Sequence, residues 1–283
     1  MSSPWPDGAR GAISISFDNL GEAAELELGL RAADTPLGGH YSVTTALPIV
    51  LTLLADAGLR ATFFIEGINA EVYPDALRTV RDAGHELAYH AWRHEDWSTL
   101  SAAAEVANLD RGLAALRAIG VEIRGLRPPG GRLNPGTHDL LASRGLNYCS
   151  PAGSAAGIDR IAVLPFAWPA VDVFHVLPAF AALRAHLSAS TEPGGLDAIR
   201  AALLASINAA LADGTHTTLV LHTWMIEAEG EVVADVLDYL RRGVERGELW
   251  VAPCCEVASW MLERAPSFQG PPVLDRTSWT TPV

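Results

Sequence analysis

Residues 61–95 read ATFFIEGINAEVYPDALRTVRDAGHELAYHAWRHE. Ala61 to Ile65 is a short apolar run rich in Phe and Ile, the composition of a buried strand. Glu71 to Ala83 carries apolar residues at helical spacing and stops at Gly84. Glu86 to Tyr89 is a second short strand. A strand, a covering helix and a strand with brief connections make a unit whose strands run parallel.

The same alternation extends in both directions. Ala12 to Phe17 (AISISF) reads as a strand, and Val43 to Ala57 as a helix ending at Gly58. Downstream, Leu100 to Ile119 is a long helix, Arg124 to Arg127 a strand and Gly136 to Ser143 a helix. Ile161 to Leu164 and Val171 to Val176 are strand-like. Leu196 to Ala212, Val232 to Arg246 and Cys255 to Arg264 are helical, with strands at Thr217 to His222 and Leu249 to Ala252. About seven such units predict an α/β fold, a deformed (β/α) barrel, over residues 1–264 rather than two domains. Two segments are excursions from the pattern, Leu20 to His40 and Leu177 to Gly195. Residues 265–283 hold four prolines and little periodicity, and form an extended C-terminal tail over the surface or a neighbouring subunit, or a disordered one.

Composition narrows the function. Of 283 residues, 49% are hydrophobic and 19% charged, which is globular. The net charge is −13, so no basic surface is expected for nucleic acid or anionic membrane. All 20 basic residues are arginine, which excludes Schiff-base, pyridoxal and P-loop lysine chemistry. Cys149, Cys254 and Cys255 make no disulfide framework and no CxxC pair. The first residues have no charged start followed by an apolar core, and no uncharged apolar run has membrane-spanning length. The expectation is a cytoplasmic protein.

In a parallel barrel, reactive side chains come from the C-terminal ends of strands. Those ends carry Asp18-Asn19, His90 with His94, Arg127, Asp172 and His222. His90 and His94 stand four apart, the spacing at which one helical turn presents two imidazoles to a common metal. Alone, such a pair is as readily two core or surface histidines.

Asp18-Asn19, Ala61 to Phe64, Gly84-His85-Glu86, His90…His94, Arg127-Pro128-Pro129-Gly130 and Leu219 to His222 come in the order seen in polysaccharide deacetylases, carbohydrate esterase family 4, which the chain resembles from Ala12 to His222. Further features resemble the cytoplasmic peptidoglycan-deacetylase-like and allantoinase-like branch. These are Gly39-His40-Tyr41, Tyr73-Pro74, His94-Glu95, Leu164-Pro165 with Trp168 and Asp172, and Leu249 to Ala252. The resemblance implies one divalent metal ion, usually zinc, held by Asn19, His90 and His94. It implies Asp18 as catalytic base, Arg127 as its holder, His222 as general acid and Asp172 as the partner that tunes it. Members of the branch tend to assemble, so a homo-oligomer is an expectation.

The implied roles suit amide hydrolysis, which needs an activated water, a polarised carbonyl and a proton for the leaving amine. Two departures bear on this. Asn19 is neutral where most members have a metal-binding aspartate, and Gly130 stands where many have an aromatic residue. Tyr41, Trp92, Pro129, Gly130, Trp168 and Trp224 are candidates for the substrate pocket, since sugars and flat heterocycles both pack on indole faces. Core packing is the competing reading for each aromatic. Three functions follow: N-deacetylation of an amino sugar, polysaccharide or related small molecule; opening of a cyclic amide or ureide; and ligand binding on a decayed enzyme scaffold.

Overall fold

The alternation in Gly11–Asp18 (β1) divides that strand between two surroundings. Ile13, Ile15 and Phe17 join the apolar layer beneath the helices, whereas Ala12, Ser14, Ser16 and Asp18 face inward. Phe17 stacks on Phe63 at 5.2 Å between ring centres, tying β1 to its neighbour. In this computed structural model, residues 3–32, 34–187, 190–268 and 270–275 are described.

The further strands are β2 (Thr62–Ile65), β3 (Glu86–Tyr89), β4 (Gly125–Leu126), β5 (Tyr148–Cys149), β6 (Gly153–Ala155), β7 (Gly157–Asp159), β8 (Ile161–Val163), β9 (His216–His222), β10 (Leu249–Val251) and β11 (Val273–Leu274). β9, β1, β2, β3, β4, β5 and β8 follow one another in parallel. On its other side β9 meets only an isolated bridge among the described residues, Val220 to Val171. This is the expected deformed α/β barrel. Its closure is incomplete because β7 turns back antiparallel on β8, and β10 and β2 share one side of β1 at opposite ends of that strand.

Two apolar layers hold the barrel. The outer one joins the sheet to the helices Leu47–Ala57, Pro74–Asp82, Ala102–Ala118, Gly195–Asp213 and Ile226–Glu245. The inner one gathers Ala12, Phe64, Ala88, Tyr148, Ala162 and Leu164 against Val257, Ala258 and Met261 of the last helix, Cys254–Glu263. Each fully buried Leu, Ile or Phe contributes about 1.5–3 kcal/mol. The helix Gly195–Asp213 is long and apolar enough to span a membrane by length and composition. Its Ile199, Leu203, Ile207 and Ala210 instead lie in the outer layer.

Several expectations change. Val171 to Val176 is not a strand: Val171 alone bridges to β9, and Asp172–Val176 is a short helix. The helix placed over Glu71 to Ala83 breaks at Tyr73 (φ −130°) and restarts at Pro74, where proline fits a first turn. The helix placed over Val232 to Arg246 begins earlier, at Ile226. Part of the tail is a strand, with Val273 paired to Ala155 and Leu274 to Gly153. Residues 276–283 lie outside the described residues.

Candidate active site

At the C-terminal end of the strands, Asp18 and His222 are register partners on the adjacent strands β1 and β9. Their side chains therefore emerge together, about 5 Å apart at the backbone. Arg127 leaves the barrel just after β4 and reaches across the interior. Its Nη1 donates to Asp18 Oδ1 at 2.6 Å and to Ser16 Oγ at 2.7 Å. Its Nη2 donates to Ser150 Oγ at 3.0 Å, and its guanidinium lies 3.9 Å over the Phe64 ring. Arg127 is 1% exposed and Asp18 is 6% exposed, so this ion pair is taken out of water. Burial pushes the Asp18 carboxyl above the ordinary value, against the opposing pull of Arg127 and His222.

His222 is braced from the other side. Asp172 Oδ1 accepts from Nδ1 of His222 at 2.6 Å, and Oδ2 accepts from the His222 backbone N–H at 2.6 Å. That fixes Nδ1 as the protonated nitrogen and leaves Nε2 to the cavity. Burial pulls the imidazole pKa down, but the Asp172 carboxylate more than offsets it, with Asp18 adding to the rise, so protonation of His222 is favoured. Glu229, in the first turns of Ile226–Glu245, lies against Asp172. Burial and that neighbouring charge push its carboxyl up to about 10.

His90 and His94 do not share a helical turn. Ala91 (φ 63°) and His94 (φ 75°) adopt the left-handed conformation, which costs a non-glycine residue about 1–2 kcal/mol. Bonds from Gly67 N–H to the Ala91 carbonyl and from Ile68 N–H to the Trp92 carbonyl support the turn. The rings still converge, with centres 5.0 Å apart. His90 Nδ1 donates to the Arg127 carbonyl at 2.8 Å, which leaves its Nε2 lone pair free. Burial lowers both imidazoles to about 3, so both are neutral, the form that ligates metal. Asn19, also left-handed at φ 59°, has a buried Oδ1 without a hydrogen-bond partner.

Among the described residues no group of three or more His, Cys, Asp and Glu has metal-binding geometry. The donors that do gather are two neutral imidazoles and one amide oxygen, which fit a divalent cation with only neutral ligands. Leu20, the residue after Asn19, is held by Glu66, which follows β2. Its Oε2 accepts from the Leu20 N–H at 3.3 Å and from Asn69 Nδ2 at 3.1 Å, and burial pushes it up to about 8.

Asp18, Asn19, His90, His94, Arg127 and His222 all line one cavity of about 400 Å³. Tyr41, Gly130, Trp168 and Trp224 line it too. Trp92 and Pro129 are not among its lining residues. Trp92 turns away, 4% exposed, with the Arg111 guanidinium 3.5 Å over its ring, and Pro128 rather than Pro129 reaches the wall. The left-handed turn at Ala91 explains the first difference, because it sends the neighbouring side chain outward. Sequence reasoning missed Phe166, Val173, Leu177, Phe180 and Leu30, which also form the walls. Several come from the two excursions. The first is tied down by Tyr73, whose hydroxyl donates to Glu22 and accepts from the His40 N–H. The second is clamped by Arg184 on the Phe174, Leu177 and Thr191 carbonyls.

Residues 12–149 match the model of the family described as polysaccharide deacetylase. Chitin deacetylase 1 of Saccharomyces cerevisiae is 32% identical over 100 residues, 35% of this chain and 33% of that protein. The chain thus spans about a third or less of the curated relatives it first matches. Among solved structures, a Mycobacterium smegmatis polysaccharide deacetylase candidate superposes with a TM-score of 0.78 at 24% identity, covering 97% of each chain. PuuE allantoinase superposes at 0.73 with 18% identity, over 93% of this chain and 94% of the other. At those identities the likeness is one of fold. Residues 12–149 are thus similar in sequence to the polysaccharide deacetylases, and the fold is shared along nearly the whole chain with the two solved structures.

Proposed function

We propose that the chain is a metal-dependent hydrolase of a non-peptide carbon–nitrogen amide bond, acting by removal of an N-acyl group from an amino sugar or related small molecule. The observation that carries this reading is the pairing of an Arg127-held Asp18 with an Asp172-backed His222 on one cavity wall, beside His90, His94 and Asn19.

A divalent cation held by His90, His94 and Asn19 would polarise the amide carbonyl and make water a better nucleophile. Asp18 accepts the proton of the attacking water, and Arg127 keeps that carboxylate ionised and aimed. His222, protonated at Nε2, hands a proton to the leaving nitrogen, while Asp172 holds the ring and stabilises its charged form. Deacetylation is what the sequence relatives' names describe.

The likeness in fold to an allantoinase and the cavity of about 400 Å³ support a second reading, opening of a cyclic amide. One experiment separates the two. Zinc-loaded protein is incubated with N-acetylglucosamine, its oligomers and allantoin, and amine release and ring opening are followed. Activity abolished by Asp18→Asn supports amide hydrolysis, and the product names the class. No turnover of any amide at high protein concentration refutes it.

A further inference from the structure

Asp18, Asn19, His90, His94, Arg127 and His222 cluster at the strand ends, Glu25 and His40 add a second polar patch, and most of the remaining wall is apolar. Phe166, Trp168, Val173, Leu177 and Phe180 form one side, with Trp224 beside His222, the ring centres of these last two 5.7 Å apart. Trp168 sits edge-on to Phe166 at 5.3 Å and tilted against Phe180 at 5.6 Å, so the wall is a packed aromatic surface. Leu30, 71% exposed, and Tyr41, 38% exposed, carry the apolar surface out to the rim.

The charges at the cavity are largely answered from within the protein: Asp18 by Arg127, His222 by Asp172 and Glu25 by Arg31. A chain of sugars brings many hydroxyls, and each one buried without a partner costs about 1–3 kcal/mol. A hydrocarbon or aromatic group gains instead from every methylene it hides there. A volume of about 400 Å³ suits a compact molecule.

Resting on the amide-hydrolase reading, we infer that the substrate is a small amide with a hydrocarbon or aromatic portion of several carbons next to the scissile bond. That portion lies against Trp168, Leu177 and Phe180, and the amide lies at the Asp18–His222 end.

The test uses two series on the zinc-loaded protein. One is glucosamine acylated with acetyl, butyryl, hexanoyl or benzoyl; the other is acetylated propyl-, hexyl- and benzylamine. N-acetylglucosamine and its tetramer complete the panel. kcat/KM is measured by amine release and Kd by calorimetry. Each buried methylene is expected to improve either quantity about four-fold until the cavity fills. At least one series therefore gains about ten-fold or more from its shortest to its longest member, the tetramer gains nothing over the single sugar, and Leu177→Ala with Phe180→Ala flattens the slope. Flat slopes in both series, or affinity that climbs with sugar number, overturn the inference and leave amide hydrolysis standing. Kd that tightens along a series without turnover refutes amide hydrolysis and with it the substrate assignment, leaving the apolar wall as a binding surface only.

Discussion

Replacing Arg127 with Met keeps most of the side chain's bulk and removes its charge. The wild-type guanidinium makes hydrogen bonds to Asp18, Ser16 and Ser150 from a site that is 1% exposed. Removing one member of a buried ion pair costs about 3–5 kcal/mol, because the other charge is stranded. At about 2–4 °C per kcal/mol for a chain of this size, Tm should fall by roughly 6–20 °C. Asp18 can limit the loss by taking up a proton. Its carboxyl is already pushed up by burial, and Arg127 is the largest opposing influence, so the variant's carboxyl rises further. The sign follows: a raised carboxyl favours the fold below its unfolded value and loses that advantage as pH rises through the folded one. The variant should come nearest to wild-type stability in acid and fall furthest behind in alkali. Activity at pH 7 should drop at least about 10²-fold and recover partly at higher pH, where Asp18 ionises again. Adding Asp18→Asn should restore stability but not turnover. Calorimetric melts from pH 4 to 9 and a pH–rate profile read both effects. A variant with wild-type Tm and an unshifted profile would refute the reasoning.

Asp172→Asn should lower the His222 pKa, since Asp172 is the main group raising it; the alkaline limb of the rate profile then moves to lower pH and turnover near pH 8 falls about ten-fold or more. Glu229 favours the fold below about 4.5 and loses that contribution as pH rises toward about 10, so Glu229→Gln should be more stable than wild type at pH 9 and close to it at pH 5, as denaturant melts at the two values will show. Gly112→Ala should destabilise although alanine is the better helix former by about 1 kcal/mol, because the new Cβ would overlap the Tyr89 ring just before His90; thermal melts check the sign.

Much of this site was legible because strand ends are legible. The alternation in AISISFD turns Ser16 and Asp18 inward together, and the strand endings at Asp18, Tyr89 and His222 fall within one residue of where the apolar runs stop. The turn after β3 was not legible. His90 and His94 carry helical spacing, yet their convergence depends on left-handed residues supported by Gly67 and Ile68, some 24 residues earlier in the chain. The same turn sends Trp92 under Arg111 instead of into the cavity. Residues 171–176 are rich in the β-branched and aromatic residues of a strand, yet only Val171 pairs, with Val220, and a helix opens at Asp172, whose carboxylate holds His222. The cavity walls came from irregular excursions, where no period marks which side chain turns in. Nothing local in the sequence marks Glu66 and Glu229 as buried carboxylates.

The central claim is that His222, backed by Asp172, delivers the proton that releases the amine. The most direct measurement compares wild type and His222→Ala for amine release from the best substrate, with metal content measured on the same samples. The account predicts equal metal and a loss of about 10²–10⁴ in kcat for the variant. Equal turnover by the two proteins would contradict it.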